Sequence, residues 1–198
     1  MKVRMKLIED TIFGNGQSIP GEEDISLQHD EYGFPYFKGS TLKGIFREEL
    51  ERLLKLEGND SSNLVDTLLG ENGANDSLEN RKVLFSDFVV ADSVKKAVLA
   101  EVADPGIILD SFSSLRTFTK INDDGMVEPG SLRIARCVNK GISLYGEIEC
   151  DQNDKELIIR TLKMIKWVGT MRNRGFGRVI LEVVEGGGIT SEIFNVHI

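Results

Sequence analysis

The sequence has 198 residues, of which 40% are hydrophobic and 28% are charged, as in most soluble globular domains. This composition excludes collagen-like, low-complexity and wholly disordered proteins. It contains no run of 18 apolar residues and no signal-peptide pattern, so we expect no membrane partner and a cytoplasmic location. Two cysteines, Cys137 and Cys150, are too few for a disulfide framework or a structural zinc site.

The net charge of −8, taken alone, argues against a nucleic-acid partner, but the charges are distributed unevenly. Residues 57–110 contain eleven acidic and four basic side chains, whereas residues 157–181 contain six basic side chains and no acidic one. Such segregation predicts a basic face on an otherwise acidic protein. Nucleic acid therefore stays among the candidate partners.

The first half of the chain begins with alternating charged and apolar residues over 1–7, which predict a strand. Residues 13–40 are rich in Gly, Pro, Asp and Glu and predict a long loop. Apolar residues at helical spacing over 42–54 predict a helix, with Ser40 or Thr41 as its N-cap.

The middle of the chain is less regular. A short helix is predicted over 63–69, a polar loop over 70–80 and a buried strand over 82–91. Residues 92–114 fit neither pattern clearly. Alternation over 115–121, followed by the turn signal Asn-Asp-Asp-Gly, predicts a hairpin.

The last part of the chain predicts strands over 131–138 and 142–150, a helix over 154–169 and a strand over 178–185. Without the insertions, the order is strand, helix, strand, strand, helix, strand. This order is typical of an α+β, ferredoxin-like fold.

One candidate binding motif is Gly-Phe-Pro-Tyr-Phe-Lys-Gly-Ser-Thr-Leu-Lys-Gly, over residues 33–44. It places backbone N–H groups around Ser40 at a helix N-terminus, with Lys38, Lys43 and Arg47 nearby. Such an arrangement favours a phosphate. The alternative is a capped amphipathic helix that follows a tight turn.

A second candidate motif is Arg-Asn-Arg-Gly-Phe-Gly-Arg, over residues 172–178. Gly175 and Gly177 permit close approach of the backbone to a ligand, and Arg172 and Arg174 can each bind phosphate oxygens. The alternative is a turn between a helix and a strand, which needs glycine for its own conformation.

Taken together, these segments resemble the repeat-associated mysterious protein (RAMP) superfamily, the RNA-binding subunits of CRISPR effector complexes. FPYFKGSTLKGIFREEL resembles the start of the family's first helix, KVLFSDFVV its central strand, and RNRGFGRV its C-terminal glycine-rich loop. Residues 116–132 resemble its middle β-hairpin. The resemblance spans about residues 1–185 in the expected order, although the first glycine-containing loop, near Gly14, matches only loosely.

Within this family the chain is most similar to the backbone subunit of type III effectors. The resemblance implies one domain over 1–198, with a ferredoxin-like (RRM-like) palm, a helical insertion near 58–114 and a thumb hairpin near 112–130. Met126 or Val127 is the expected apolar wedge of the thumb. The implied partners are guide RNA, target RNA, other RAMP subunits and further copies of this chain in a ribonucleoprotein filament.

The resemblance also implies a cutting aspartate in the loop before the first helix. Asp24 matches best, fifteen residues before Gly39, and would bind Mg²⁺ or another divalent cation that assists cleavage of target RNA. Glu22, Glu23 and Asp30 are competing carboxylates, and His29 is a possible proton carrier, because its pKa lies near neutrality.

Two alternatives remain at this point. One is a non-catalytic RAMP paralogue with a structural or capping role in the same kind of complex. The other is a metal-independent endoribonuclease that processes the guide precursor, which the presence of only two histidines disfavours.

Overall fold

The computed structural model describes residues 1–58, 62–70 and 82–184. In these ranges the protein is an α+β fold, as predicted. The strands are β1 (Lys2–Leu7), β2 (Tyr36–Phe37), β3 (Leu84–Phe85), β4 (Phe88–Val90), β5 (Ser113–Phe118), β6 (Arg133–Val138), β7 (Ser143–Glu149) and β8 (Val179–Val184). The helices are α1 (Gly39–Leu56), α2 (Ser62–Leu69), α3 (Asp92–Glu101), α4 (Pro105–Phe112) and α5 (Lys155–Met164), and Arg172–Arg174 form one 3-10 turn.

The central sheet has β1 in its interior. Met5 of β1 pairs with Leu144 of β7 on one side and with Leu181 of β8 on the other, both in antiparallel register. The order β4-β7-β1-β8 is the strand order of a ferredoxin-like fold, with β2 added beside β4 and β3 paired to β7.

The core lies between one face of this sheet and the helices α1 and α5. Alternate residues of β1 are buried, and they meet apolar side chains such as Phe46 and Leu50 of α1 and Ile158 of α5. Full burial of each such side chain contributes about 1.5–3 kcal/mol to folding. The opposite face of β1 carries the charged residues Lys2, Arg4 and Lys6.

The predicted strand over 82–91 is interrupted by Ser86 and Asp87. The backbone N–H and the hydroxyl of Ser86 bind the backbone of Glu147 at 2.9 and 2.7 Å, and this local exchange of partners separates β3 from β4. The ambiguous stretch that follows forms α3 and α4. Asp104 accepts hydrogen bonds from the backbone of Gly106 and Ile107 and so caps α4.

The hairpin, as we call residues 113–138 hereafter, is longer than the predicted thumb over 112–130. Its arms are β5 and β6, which pair from Ser113–Val138 to Phe118–Arg133 in a sheet of their own. The predicted strand over 131–138 is therefore the returning arm of the hairpin and does not join the central sheet.

Two further boundaries differ from prediction. The helix predicted over 154–169 ends at Met164, because Ile165 is extended and Trp167 forms an isolated bridge with Arg178. The polar loop predicted over 70–80 lies, after Gly70, outside the described residues, and so does part of the insertion predicted near 58–114.

Candidate nucleic-acid interface

The two glycine motifs, more than a hundred residues apart in sequence, line the same half-open cleft of about 180 Å³. One wall comes from residues 12–45, which include the loop after β1, β2 and the start of α1. The other wall comes from residues 169–172, after α5. The residues that line it are Ile12, Phe13, Gly14, Gln28, Tyr36, Phe37, Lys38, Thr41, Ile45, Gly169, Thr170 and Arg172.

The start of α1 is held by a residue that is distant in sequence. The N-cap position is Lys38, not Ser40 or Thr41 as predicted, and the N–H of Gly39 donates to Oδ1 of Asp87 at 2.8 Å. A Cβ atom on Gly39 would lie 2.4 Å from the carbonyl oxygen of Ser86, so only glycine fits. This contact joins the motif before α1 to the Phe-Ser-Asp motif of residues 85–87, and it places a protein carboxylate where the sequence suggested a phosphate.

The predicted RNA-binding residues of this motif have different surroundings. Lys38 and Ser40 are exposed, and Lys43 is half-buried. The side chain of Arg47 is only 12% exposed; its guanidinium binds Asp66 Oδ1 at 2.9 Å and the carbonyl oxygen of Gly70. Arg47 therefore joins α2 to α1, which is a packing role.

The C-terminal motif presents its arginines to solvent. Arg172 and Arg174 are exposed, and Arg172 Nε donates to the carbonyl oxygen of Gly169 at 3.2 Å. In the ranges that the structure describes, neither forms an ion pair with a carboxylate. Both guanidinium groups are therefore available to an anionic ligand.

The two glycines of this motif serve different purposes. Both have positive φ, +83° at Gly175 and +80° at Gly177. A Cβ atom on Gly177 would lie 2.0 Å from the carbonyl oxygen of Val168, whereas nothing lies within 4 Å of that position at Gly175. Gly177 is required by packing, and Gly175 leaves the exposed backbone open to a ligand.

The segment around the C-terminal motif also packs against the paired arms of the hairpin. Met171 has a φ of +57°, which is strained for a residue with a side chain, and it packs with Phe176 against a small second core that includes Cys137. The rings of Phe176 and Phe118 meet edge to face, with centroids 5.4 Å apart. Burial raises the pKa of the Cys137 thiol to about 12.

The tip of the hairpin exposes apolar side chains beside a polar turn. Met126 and Val127 are 68% and 59% exposed, and Ile121 pairs with Val127 across the turn. Oδ1 of Asn122 accepts hydrogen bonds from the N–H groups of Asp124 and Met126, which fixes the turn. Both residues predicted as the wedge thus lie at the end of the hairpin.

Two of the four candidate carboxylates, Glu23 and Asp30, already form ion pairs within the protein. Glu23 is 5% exposed and pairs with Nε of Arg136 at 2.5 Å. Asp30 accepts from Lys95 Nζ at 2.7 Å and from backbone N–H groups in its own turn, one of them that of Phe34.

The other two carboxylates, Glu22 and Asp24, are exposed. Asp24 Oδ2 accepts from the N–H of Ile134 on β6 at 2.8 Å, and among the described residues no hydrogen bond is found for Oδ1. His29 is exposed, with Nδ1 2.8 Å from the carbonyl oxygen of Asp30. Asp24 is therefore both held in place and accessible.

The described residues do not contain three or more His, Cys, Asp or Glu side chains placed to hold a metal ion. Asp24 alone does not form a cation site, so any divalent ion there would need RNA oxygens and water as its other ligands. In the same ranges we find no helix long and apolar enough to cross a membrane.

Comparison with known proteins identifies the family. A family model of the RAMP superfamily matches residues 4–180. The chain belongs to the RAMP superfamily. No curated protein matches it significantly.

Two solved structures have the same fold as this RAMP chain. A chain of the type III-B Cmr-beta complex bound to cognate target RNA is 14% identical, with a TM-score of 0.67, and the match covers 91% of this chain and 95% of that one. A chain of the apo state of type III-B Cmr-beta is 14% identical, with a TM-score of 0.69, and the match covers 93% and 97%.

Sequence reasoning missed two residues that organise this interface. Asp87 lies within one predicted strand and Arg136 within another, so the sequence alone indicates only strand positions for them. Their partners, Gly39 and Glu23, are 48 and 113 residues away in sequence. The Phe-Ser-Asp motif itself was the available signal for Asp87, because a carboxylate is unusual inside a buried strand.

Proposed function

We propose that this RAMP chain is a backbone subunit of a type III CRISPR effector complex. It binds guide RNA through its phosphates and cleaves complementary target RNA at intervals of about six nucleotides, with base pairing rather than the protein reading the sequence. The observation that carries the proposal is the cleft that unites the two glycine motifs. Copies of this chain and other RAMP subunits are the expected neighbours along the guide.

The cleft suits a polynucleotide backbone. Lys38 and Arg172 are exposed cations on its opposite walls, and Arg174 extends the positive charge beyond the rim. Tyr36, which is half-buried, adds aromatic surface beside these charges. The net charge of −8 does not oppose this role, because a local field decides which ligand approaches a face.

The hairpin tip supplies the second element of the proposed function. Met126 and Val127 form an exposed apolar wedge, and insertion of such a wedge between bases separates them at a cost of about a few kcal/mol. Burial of the wedge against the separated bases offsets that cost. One nucleotide at each subunit is thereby displaced from the duplex.

Asp24 is the proposed catalytic residue for target cleavage. Its carboxylate is exposed and held by Ile134 N–H, so Oδ1 can point to a bound RNA without a rearrangement of the loop. A carboxylate there can accept the proton of an RNA 2′-hydroxyl or bind Mg²⁺ that RNA brings.

A second candidate function is a non-catalytic subunit in a structural or capping position. The observation in its favour is that Asp24 already makes a structural hydrogen bond, and a carboxylate kept for that bond alone needs no chemistry. Both candidates require the same RNA-binding cleft and differ only at Asp24.

A reconstituted complex separates the two candidates. The complex is assembled on a labelled guide, complementary target RNA is added with Mg²⁺ or EDTA, and cut positions are read on a sequencing gel. We expect cuts about six nucleotides apart that Asp24→Ala abolishes without loss of guide binding. Glu22→Ala is the matched control, since it removes an exposed carboxylate two residues away.

The result that contradicts cleavage by Asp24 is an unchanged cutting pattern in Asp24→Ala. Guide binding without any cuts in the wild type supports the structural subunit. Absence of guide binding at low salt contradicts both candidates.

A further inference from the structure

Arg136, in the middle of β6, is the residue that connects the Asp24 loop to the hairpin. Its side chain is 14% exposed and makes three polar contacts. Nε donates to Glu23 Oε1 at 2.5 Å, and Nη1 donates to Asp110 at 2.5 Å and to the Ser113 hydroxyl at 3.1 Å. One guanidinium thus joins the loop, α4 and the start of β5.

The backbone around Arg136 strengthens this connection. The N–H groups of Asp24 and Ile25 both donate to the carbonyl oxygen of Ile134, at 2.8 and 3.1 Å, and the N–H of Arg136 donates to the carbonyl oxygen of Ile25 at 3.1 Å. Together with the bond from Ile134 N–H to the Asp24 carboxylate, these bonds form an isolated parallel bridge between Ile25 and Ala135 at the edge of β6. The Asp24 loop is therefore attached to the returning arm of the hairpin.

The charges are arranged so that this connection depends on Arg136. Glu23 is almost fully buried, and a buried carboxylate without its cation is strongly destabilising. Burial lowers the pKa of Arg136, but hydrogen bonds with Glu23 and Asp110 raise it by more, so the net shift is upward and the guanidinium stays charged.

We propose that Arg136 is a positioning residue that fixes the Asp24 carboxylate to the hairpin, so that the distance between the cut and the displaced nucleotide is set by the protein. The proposal rests on the proposed function of the chain as an RNA-cleaving subunit. It explains how a loop of irregular structure can deliver one carboxylate to the same place on the RNA at every copy: the loop moves only with the hairpin.

The test compares Arg136→Gln and Glu23→Gln with Arg116→Gln. Arg116 is the matched control, because it lies on the other arm of the same hairpin and its ion pair, with Asp10 at 2.5 Å, does not involve the Asp24 loop. The first measurement is target cleavage by the assembled complex, with rates and cut positions. The second is hydrogen exchange of the Asp24 and Ile25 amides in the full chain.

We expect Arg136→Gln and Glu23→Gln to lower the cleavage rate at least tenfold and to spread the cuts over neighbouring phosphates, with guide binding unchanged. Exchange of the Asp24 and Ile25 amides should accelerate at least tenfold. Arg136→Lys keeps the charge near Glu23 and should restore part of the rate. Arg116→Gln should leave rates, positions and loop exchange unchanged.

Wild-type cut positions and rates in both Arg136→Gln and Glu23→Gln would overturn the inference while leaving the proposed function intact. If the wild type binds guide but does not cut, the exchange measurement decides alone: unchanged protection of the loop in both variants contradicts the role of Arg136, and loss of protection supports it. Melting curves identify a variant that has not folded, and the other variant then decides.

Discussion

The two basic segments at the cleft differ in how the protein already uses their charges. At the start of α1, Asp87 accepts a hydrogen bond from the N–H of Gly39, and the largely buried Arg47 forms an ion pair with Asp66. In the C-terminal motif, Arg172 and Arg174 are exposed. Basic residues beside a helix N-terminus can thus serve packing, whereas these two arginines of the C-terminal motif are available to the proposed RNA ligand. Substitution of Arg47 should therefore act on stability, and substitution of Arg172 and Arg174 on RNA binding.

The largest expected effect is on RNA affinity. Arg172→Glu with Arg174→Glu replaces two phosphate contacts by repulsion and should weaken guide-RNA binding about 1,000-fold at low salt, for any sequence. The salt dependence should also flatten, by about 0.7 in the log–log slope for each lost phosphate contact. Fluorescence anisotropy at several salt concentrations measures both quantities.

The control for this prediction carries the same change in net charge. Lys2→Glu with Lys6→Glu alters two exposed lysines on the open face of the central sheet, away from the cleft. We expect a much smaller loss of affinity there. An equal loss in the two double variants would show that net charge, not the C-terminal motif, controls binding.

The next effect concerns the two glycines of that motif. Gly177→Ala should destabilise the protein by at least about 3 kcal/mol, because the new Cβ meets a backbone carbonyl and φ is positive. Gly175→Ala has only the cost of positive φ, about 1–2 kcal/mol. Urea unfolding of both variants measures the difference, and equal losses would refute the distinction between them.

The smallest effects distinguish the two cations at the start of α1. Arg47→Ala should lower the free energy of unfolding by about 2–3 kcal/mol, since it leaves Asp66 and the carbonyl group of Gly70 without their donor, and RNA affinity should stay the same. Lys38→Ala should weaken RNA binding about fivefold, by loss of one exposed phosphate contact, and leave stability within about 0.5 kcal/mol.

Calorimetry measures the stability of Arg47→Ala and Lys38→Ala, and anisotropy measures their RNA affinity. Each variant should change only one of these two quantities. A loss of affinity in Arg47→Ala comparable to that in Lys38→Ala would return Arg47 to the RNA-binding residues.

The elements with strong periodicity could be predicted from sequence. Alternation in β1, β7 and β8 and the helical spacing in α1 follow from burial of one face, which is a local property of the chain. The strand order then follows from the order of the elements. By contrast, α3 buries none of its side chains completely, so it left no clear apolar pattern in the sequence.

What could not be predicted depends on distant partners. The cap of α1 comes from Asp87, the role of Arg47 from Asp66, and the anchoring of the Asp24 loop from Arg136. Sequence spacing shows which residues can reach each other within one element, but not which loops meet after folding. The family resemblance brought the correct segments together, whereas their contacts required the structure.

The central claim is that the start of α1 and the C-terminal motif form one RNA-binding surface. The most direct measurement is hydrogen exchange of the full chain with and without guide RNA. We predict that guide RNA protects the backbone amides of both residues 37–41 and residues 169–177, and that exchange of the β1 amides does not change. Protection of only one segment, or of β1 instead, would contradict the claim.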